Sequence, residues 1–334
     1  MLFRGSKVIY LKHLGIYCFN ITLIKIDRIR MKYFAQVVVG LIFLILTSCT
    51  SNNETNQPVH SKDYIYVGDF TQGLEGPAVL KNGDLYFVNP HKNGTIGRVN
   101  SSINKFEVFI DSLANGSVAN GIRVGRDGQM YLADYVNHNV LKLNPETKEV
   151  VIFANDSLMN QPNDLAISSN GTLFASDPNW KEETGNIWKI NTSGEITLLE
   201  LAMGTTNGIE VGSGDSLLYV NESAQRKVWV YDLSGSGEIS NKRLLIEFED
   251  FGLDGMRCDV EGNLYIARYG KGVVAVVSPQ GKLLYEVKLT ANKPTNVAFG
   301  GSEGKTVYVT CQDRGYIETF EAEFVGRSYQ LNKN

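Results

Sequence analysis

Six positions along the chain carry a side-chain oxygen just before a short apolar segment, and they recur at a nearly constant interval. They are Glu75, Asn120, Asn163, Asn207, Asp254 and Asn296, which lie 45, 43, 44, 47 and 42 residues apart. Two carboxylates and several amide carbonyls are hard oxygen ligands, which suit calcium, magnesium or manganese. Buried carboxylates without a cation or hydrogen-bond donors would be costly, so the sequence predicts a divalent-cation site wherever the fold brings these oxygens together.

The segments between these positions repeat one pattern of short strands. In each interval the first apolar segment is followed by a turn and a second one, such as "DLYFV" or "NLYIA". A third ("NVLKLN", "KVWVYD") and a fourth ("RLLIEF") complete the unit. Four strands per unit at this period are typical of a propeller blade. We therefore predict an all-β fold, a six-bladed β-propeller with four antiparallel strands per blade, over residues 62–330.

This fold would bring the six oxygens to one place. In a propeller the residue just before the innermost strand of each blade points towards the central axis, at one mouth of the channel. Asn-Gly and Asp-Gly are also favoured turn sequences, because both tolerate left-handed backbone. Turn formation explains any single position, but it does not explain six positions in phase, nor Glu75, which is a poor turn residue.

The first part of the chain has the pattern of a targeting segment. An apolar run of 13 residues, "FAQVVVGLIFLIL", follows Lys32 and precedes "TSC". A basic start, an apolar middle and a small-residue ending are typical of a secretory signal, and "LTSC" resembles a lipoprotein signal. We predict a lipoprotein signal peptide at 31–49 with lipidation of Cys49. On that interpretation residues 1–30 are mis-annotated upstream sequence; an uncleaved anchor helix is the alternative.

Residues 50–61 are polar and lack periodicity, which predicts a flexible tether. Together these features indicate a protein of the bacterial cell envelope, held in the membrane by a lipid on Cys49 and facing the periplasm or the cell surface. The formal net charge of −4 disfavours nucleic acid as a partner. We expect a monomer that acts on a small molecule, with Cys258 and Cys311 as buried free thiols.

Several stretches around the six oxygens resemble the gluconolactonase family that includes regucalcin, the senescence marker protein. They are "LEGPAV", "PNDLAIS", "TNGIEV", "LDGMRCDVEGNLYIARYGKGVVAVVSPQGKLL" and "TNVAFGGSEGKTVYVTC". The resemblance covers all six blades and implies a divalent-metal-dependent hydrolase that opens a sugar lactone or related cyclic ester. It further implies metal ligation by Glu75, Asn207 and Asp254, with Asn163 at the metal or the substrate and Asp254 as the catalytic general base.

The cofactor expected first is calcium, with magnesium, manganese or zinc as alternatives. Family lactonases often carry an arginine where this chain has Gln161, which we expect among the substrate contacts, and Leu253 replaces a usual proline. Asn120 and Asp134 are further candidate substrate contacts, although Asp134 is equally well explained as a strand-end turn residue. The alternative function is a non-catalytic, ligand-binding envelope propeller of the NHL kind. A condensing enzyme resembling strictosidine synthase would need a catalytic glutamate, for which Glu222 is the candidate.

Overall fold

The structure is a computed structural model and describes residues 59–333. Short runs rich in β-branched and aromatic residues form strands, and glycine-containing turns end them. Five four-stranded antiparallel sheets follow one another along the chain. Their strands are β2 (Glu75–Val79), β3 (Leu85–Val88), β4 (Ile96–Asn100) and β5 (Lys105–Ile110) in blade 1; β6 (Ala119–Val124), β7 (Met130–Asp134), β8 (Asn139–Leu143) and β9 (Val150–Asn155) in blade 2; β10 (Leu165–Ile167), β11 (Leu173–Asn179), β12 (Thr184–Ile190) and β13 (Ile196–Met203) in blade 3; β14 (Thr206–Val211), β15 (Leu217–Glu222), β16 (Lys227–Leu233) and β17 (Ile239–Glu247) in blade 4; and β18 (Met256–Cys258), β19 (Leu264–Arg268), β20 (Val273–Val277) and β21 (Leu283–Lys288) in blade 5.

The sixth blade joins the two ends of the described chain. It contains β22 (Pro294–Gly300), β23 (Thr306–Cys311), β24 (Tyr316–Glu321) and, as its outer strand, β1 (Lys62–Tyr66). Strand β1 pairs antiparallel with β24, with Tyr66 opposite Tyr316. The first strands of neighbouring blades contact one another around the whole ring. The predicted six-bladed propeller is therefore confirmed.

The hydrophobic core is divided among the interfaces between blades. Six clusters of buried apolar side chains lie between successive blades, one for each interface. Between blades 5 and 6, for example, Tyr265 and Phe299 meet edge to face with their ring centroids 5.0 Å apart. Cys258 and Cys311 are buried free thiols. Because both faces of each blade are covered, the first strands are held rigidly around the axis.

A short helix that the sequence pattern did not predict follows the last strand. Helix α1 (Arg327–Lys333) lies at the end of the channel where the first strands finish. A single 3₁₀ turn at Ala114–Gly116 precedes β6. No helix within residues 59–333 is long and apolar enough to cross a membrane.

The predicted N-terminal segments lie largely outside the described residues. This applies to residues 1–30, the signal peptide at 31–49, the lipidation site Cys49 and most of the tether at 50–61. At the end of that tether, the backbone of Ser61 donates to the Lys288 carbonyl at 3.0 Å, and Lys288 donates to the Val59 carbonyl at 2.9 Å. Pairing with β21 thus begins before the predicted propeller boundary at residue 62.

Candidate metal-binding site

Five of the six predicted oxygen-bearing residues line one cavity, at the end of the channel where the first strands begin. They are Glu75, Asn120, Asn163, Asn207 and Asp254. The cavity has a volume of about 380 Å³. Its walls are completed by Gln72, Gly73, Asn89, Tyr135, Gln161, Trp180, Ser223, Tyr269 and Gln312.

Irregular strand pairing accompanies these side chains in blades 1, 2 and 4. In blade 1 the register between β2 and β3 shifts between Glu75 and Ala78, and in blade 4 that between β14 and β15 shifts between Thr206 and Ile209. Strand β6 has a shift at the same place in blade 2. A β-bulge bends its strand and changes the direction of a side chain, which is why bulges are common beside functional sites. In these three blades the repeat position thus coincides with a bulge.

The glycine that follows several of these residues is required by the neighbouring blade. A Cβ atom on Gly255 would lie 1.9 Å from Cγ of Asn296. A Cβ atom on Gly76, whose φ is +57°, would lie 2.1 Å from the carbonyl oxygen of Asn120. The glycines thus allow one blade to pack directly against the next at the axis. Turn propensity alone is not the reason for the repeated Asn-Gly and Asp-Gly sequences.

Three oxygen atoms at the cavity are buried and have no hydrogen-bond partner among residues 59–333. They are Oε1 of Glu75, Oδ1 of Asn163 and Oδ1 of Asn207. The carboxyl group of Asp254 lies close enough to Asn207 and Glu75 for both side chains to influence its pKa. Buried polar atoms are normally paired, so unpaired acceptors from three blades beside a carboxylate indicate a cation site. Among residues 59–333 no group of three or more His, Cys, Asp or Glu residues could hold a metal, so any ligand set here must include amide oxygens.

Both carboxyl groups at the cavity have a raised pKa. Burial, together with the charge of Asp164, raises the pKa of Glu75 from 4.5 to about 7. The Gly76 amide, the Asn296 side chain and Arg257 oppose this shift. Burial and the charge of Glu75 likewise raise the pKa of Asp254 well above its ordinary value. A cation between the two groups would favour their ionised forms, because an opposite charge stabilises the carboxylate.

The sixth predicted oxygen, that of Asn296, lies beneath the cavity rather than in its wall. The side chain is fully buried, and its Nδ2 donates to Oε2 of Glu75 at 3.0 Å. Its Oδ1 accepts from Arg257 at 3.1 Å and from the Val297 amide at 2.9 Å. Because its amide oxygen is already used twice, Asn296 supports Glu75 and is not positioned to bind a ligand in the cavity.

A buried group of charged residues in the channel was missed by the sequence analysis. Asp164 accepts from Arg123 at 2.9 and 3.2 Å and from Arg257 at 3.4 Å, and all three side chains are buried. Glu210 lies 3.5 Å from Arg123. A signal for this group was present in the sequence. Arg123, Glu210 and Arg257 occupy the same place in three repeats, within otherwise apolar strands.

Asn120 and Gln161, both predicted substrate contacts, line the cavity, whereas Asp134 is not among the described residues that do so. The carboxylate of Asp134 is fully buried and accepts from the backbone amides of Val118, Val136 and Asn137 and from the side chain of Asn139. It therefore holds the strand-end turn, which was the alternative interpretation of this residue. Glu222 similarly accepts from the Gly204 amide at 2.9 Å.

Comparison with known proteins gives one consistent family. Residues 73–313 match the family described as the SMP-30/Gluconolactonase/LRE-like region. A gluconolactonase of Zymomonas mobilis is 27% identical over 274 residues, covering 72% of this chain and 76% of that protein. Diisopropyl-fluorophosphatase of Loligo vulgaris is 27% identical over 301 residues, covering 81% and 95%. Regucalcin of Oryctolagus cuniculus is 32% identical over 190 residues, covering 52% and 62%.

Solved structures share the fold. A calcium-binding protein, regucalcin, from Agrobacterium tumefaciens superimposes with a TM-score of 0.70 at 18% identity, over 80% of this chain and 96% of that chain. A gluconolactonase from Xanthomonas campestris gives a TM-score of 0.66 at 16% identity, over 77% and 88%. These similarities support the propeller assignment independently of the sequence repeat.

Proposed function

The chain belongs to the SMP-30/gluconolactonase/LRE-like family, and on that premise we propose that it is a divalent-metal-dependent hydrolase of a sugar lactone or related cyclic ester. The observation that carries the proposal is the set of unpaired buried oxygens on Glu75, Asn163 and Asn207 beside Asp254. These four residues would hold the cation. Calcium is the first expectation, because the donors are carboxylate and amide oxygens and because one structural neighbour is described as calcium-binding.

The reaction requires a polarised ester carbonyl and an activated water molecule. When bound, a divalent cation supplies Lewis-acid polarisation and lowers the pKa of coordinated water. We assign to Asp254 the removal of the proton from the attacking water and its later return to the alkoxide released when the ring ester bond breaks. Asn120 lies on the same wall, where its amide is available to orient the substrate.

The remaining residues fix the positions of these groups. Asn296 orients Glu75 through its 3.0 Å hydrogen bond. The carbonyl of Asp254 accepts from Nδ2 of Asn221 at 2.6 Å, and the Gly255 amide donates to the Thr295 carbonyl at 2.7 Å. The backbone on both sides of the proposed base is therefore tied to two neighbouring blades. Such rigidity is what positioning of a reacting group requires.

A panel of lactones, assayed with and without a chelator, tests this proposal. The panel should include a dialkyl fluorophosphate, because one relative is named diisopropyl-fluorophosphatase. We expect ring opening that EDTA abolishes and calcium restores. Asp254→Asn should lower kcat by about 10²- to 10⁴-fold, the usual contribution of a general base. Glu261→Gln, which removes an exposed carboxylate from the same blade, is the matched control and should leave kcat unchanged.

Two results would overturn the proposal. The first is turnover that does not respond to the chelator, which would remove the cation from the mechanism. The second is wild-type turnover in the Asp254→Asn variant, which would remove the general base. Calcium affinity of this variant, measured by isothermal titration calorimetry, separates loss of the base from loss of the cation.

A further inference from the structure

One wall of the cavity is extended by a hairpin that carries an exposed tryptophan. Strand β11 is longer than the second strands of the other blades, and it pairs with β12 out to Asn179 and Thr184. The connecting turn starts with Trp180, which lines the cavity and is 45% exposed. In the described part of the chain this indole has no hydrogen bond or ring partner. A large aromatic surface is thus left free at the cavity mouth, where a ligand would cover it.

The turn that presents Trp180 is held in place. The Glu182 amide donates to Oδ1 of Asn179 at 3.1 Å, and the Glu183 carbonyl accepts from Gln225 of the next blade at 3.3 Å. At the base of the hairpin, the Asp177 carboxylate accepts from the backbone N–H of Gln161 at 2.6 Å, which leaves the side-chain amide of Gln161 free of this contact. The indole therefore projects from a turn attached to the neighbouring blade.

The charge of the cavity restricts what can bind there. Of the described residues that line it, none is Lys, Arg or His, and two are the carboxylates Glu75 and Asp254. Of the basic groups near the wall, Arg257 is buried beneath the cavity with its guanidinium bonded to Asn296 and Asp164. The Nζ of Lys293 lies 5.8 Å from the ring centroid of Tyr269. The other polar wall groups are amides and hydroxyls, which form hydrogen bonds with neutral partners. An anionic substituent that lies against the wall away from the proposed cation would lose its hydration and gain no cationic side chain in return.

We propose that Trp180 is a specificity-determining residue that stacks on the ring of an uncharged cyclic substrate, and that the cavity selects neutral cyclic esters over anionic ones. This inference rests on the proposed hydrolase function and narrows its substrate class. The indole covers the apolar C–H face of the ring, while the amides of Asn120 and Gln161 are available to its hydroxyl groups. Selection against a phosphate or carboxylate substituent follows from the absence of a basic side chain among the described wall residues.

Steady-state kinetics test the stacking. Trp180→Ala should raise KM for a neutral lactone about tenfold and change kcat less than about threefold. A tenfold ratio is what the loss of about 50 Å² of buried apolar ring surface would produce. Trp180→Phe should restore most of the affinity, because it keeps an aromatic face. Leu201→Ala, an exposed apolar residue on the outer strand of the same blade, is the control and should match the wild type. Equal KM values for Trp180→Ala and the wild type would overturn the inference.

Substrate charge gives a second readout. The wild type should have a kcat/KM at least about tenfold higher for a neutral aldonolactone than for the same lactone bearing a phosphate. About tenfold is the affinity that one ion pair with the phosphate would contribute, and the described wall offers no basic side chain to form it. Gln161→Arg should narrow this gap, because it places a guanidinium on the wall. A wild-type enzyme that prefers the phosphorylated lactone would refute the charge argument.

A binding measurement separates failure of this inference from failure of the proposed function. The corresponding lactam resists hydrolysis and should alter tryptophan fluorescence in the wild type but much less in Trp180→Phe, because neither of the other two tryptophans, Trp188 and Trp229, lines the cavity. If no lactone is hydrolysed but the lactam gives this difference, the hydrolase proposal fails and the stacking inference stands. If lactones are hydrolysed but the lactam signal is the same in both proteins, the stacking inference fails alone.

Discussion

Without the proposed cation, the folded protein should become less stable as the pH rises towards and through about 7, because Glu75 then ionises in its buried site. Burial and the charge of Asp164 raise the pKa of Glu75 from 4.5 to about 7, and the pKa of Asp254 is also raised. An acid whose pKa is higher in the folded chain than in the unfolded chain stabilises the fold below its unfolded pKa. That contribution is lost as the pH rises through the folded pKa, here about 7.

The size of this effect follows from the pKa of Glu75, whose side chain is almost completely buried. A pKa that moves from 4.5 to about 7 corresponds to about 3 kcal/mol. Between about pH 5.5 and about pH 8, about 2 kcal/mol of this stabilisation is lost. For a domain of this size that loss lowers Tm by about 4–8 °C. Differential scanning calorimetry in EDTA at the two pH values measures the difference, and saturating calcium should reduce it, because calcium binds the ionised carboxylates.

A variant that cannot titrate at this position provides the control. Glu75→Gln in EDTA should show less than half of the wild-type change in Tm between the two pH values. Glu261→Gln, which removes an exposed carboxylate, should keep the full change. If Glu75→Gln retains the wild-type pH dependence, the buried carboxyl of Glu75 is not its source, and the electrostatic account of the cavity is wrong.

Two further predictions concern the residues beneath the cavity. Asn296→Ala removes a hydrogen bond to Glu75 and should weaken calcium binding about 10- to 100-fold by isothermal titration calorimetry, as is usual for groups that orient a ligand. Thr319→Val, a buried change in the same blade, should leave calcium affinity unchanged. Equal losses in both variants would contradict the orienting role. Asp164→Asn leaves two buried arginines without their shared carboxylate and should lower the free energy of unfolding by about 3–5 kcal/mol in urea titrations. Asp127→Asn breaks a partly exposed ion pair with a lysine and should cost at most about 1 kcal/mol, so similar losses at the two positions would show that burial is not decisive.

The fold could be predicted from the sequence because the propeller repeats one simple pattern. Each blade repeats the alternation of apolar strands and glycine turns. A strand that is assigned wrongly in one blade can therefore be recognised by comparison with the other blades. Helix α1 was not predicted because it lies outside the repeated blade pattern and has only seven residues. The pairing of Val59 and Ser61 with β21 was also missed, since a short polar segment carries no periodicity.

The cavity wall was predictable for the same reason, whereas the layer beneath it was not. The sequence repeat places Glu75 and Asp254 at equivalent positions, and the structure puts both on the wall. The sixth member, Asn296, occupies an equivalent place in the repeat but lies one layer deeper, because its oxygen is engaged by Arg257. Asp164 occurs where four other blades have glycine. Because no other blade has an equivalent aspartate, the sequence pattern did not indicate what Asp164 does. Its hydrogen bonds in the structure show that role.

The deeper layer connects the cavity to the far end of the channel. A series of hydrogen bonds and ion pairs leads from the cavity through Asn296 and two pairs of oppositely charged residues to Arg327, at the start of α1. The contacts are Glu75–Asn296 at 3.0 Å, Asn296–Asp164 at 3.4 Å, Asp164–Arg123 at 2.9 Å, Arg123–Glu210 at 3.5 Å and Glu210–Arg327 at 3.5 Å. Each buried charge in this layer is stabilised by the opposite charges of its neighbours. If one member were removed, its neighbours would keep their desolvation cost without that compensation.

The charges in this layer also act on the cavity with opposite signs. Asp164 raises the pKa of Glu75, and Arg257 lowers it. Burial and the neighbouring Arg123 lower the pKa of Arg257 to about 10, so it remains cationic at neutral pH. Neither charge can be removed without changing how readily Glu75 ionises, and therefore how readily it accepts a cation. The channel network is thus part of the binding site in energetic terms, although none of its arginines lines the cavity.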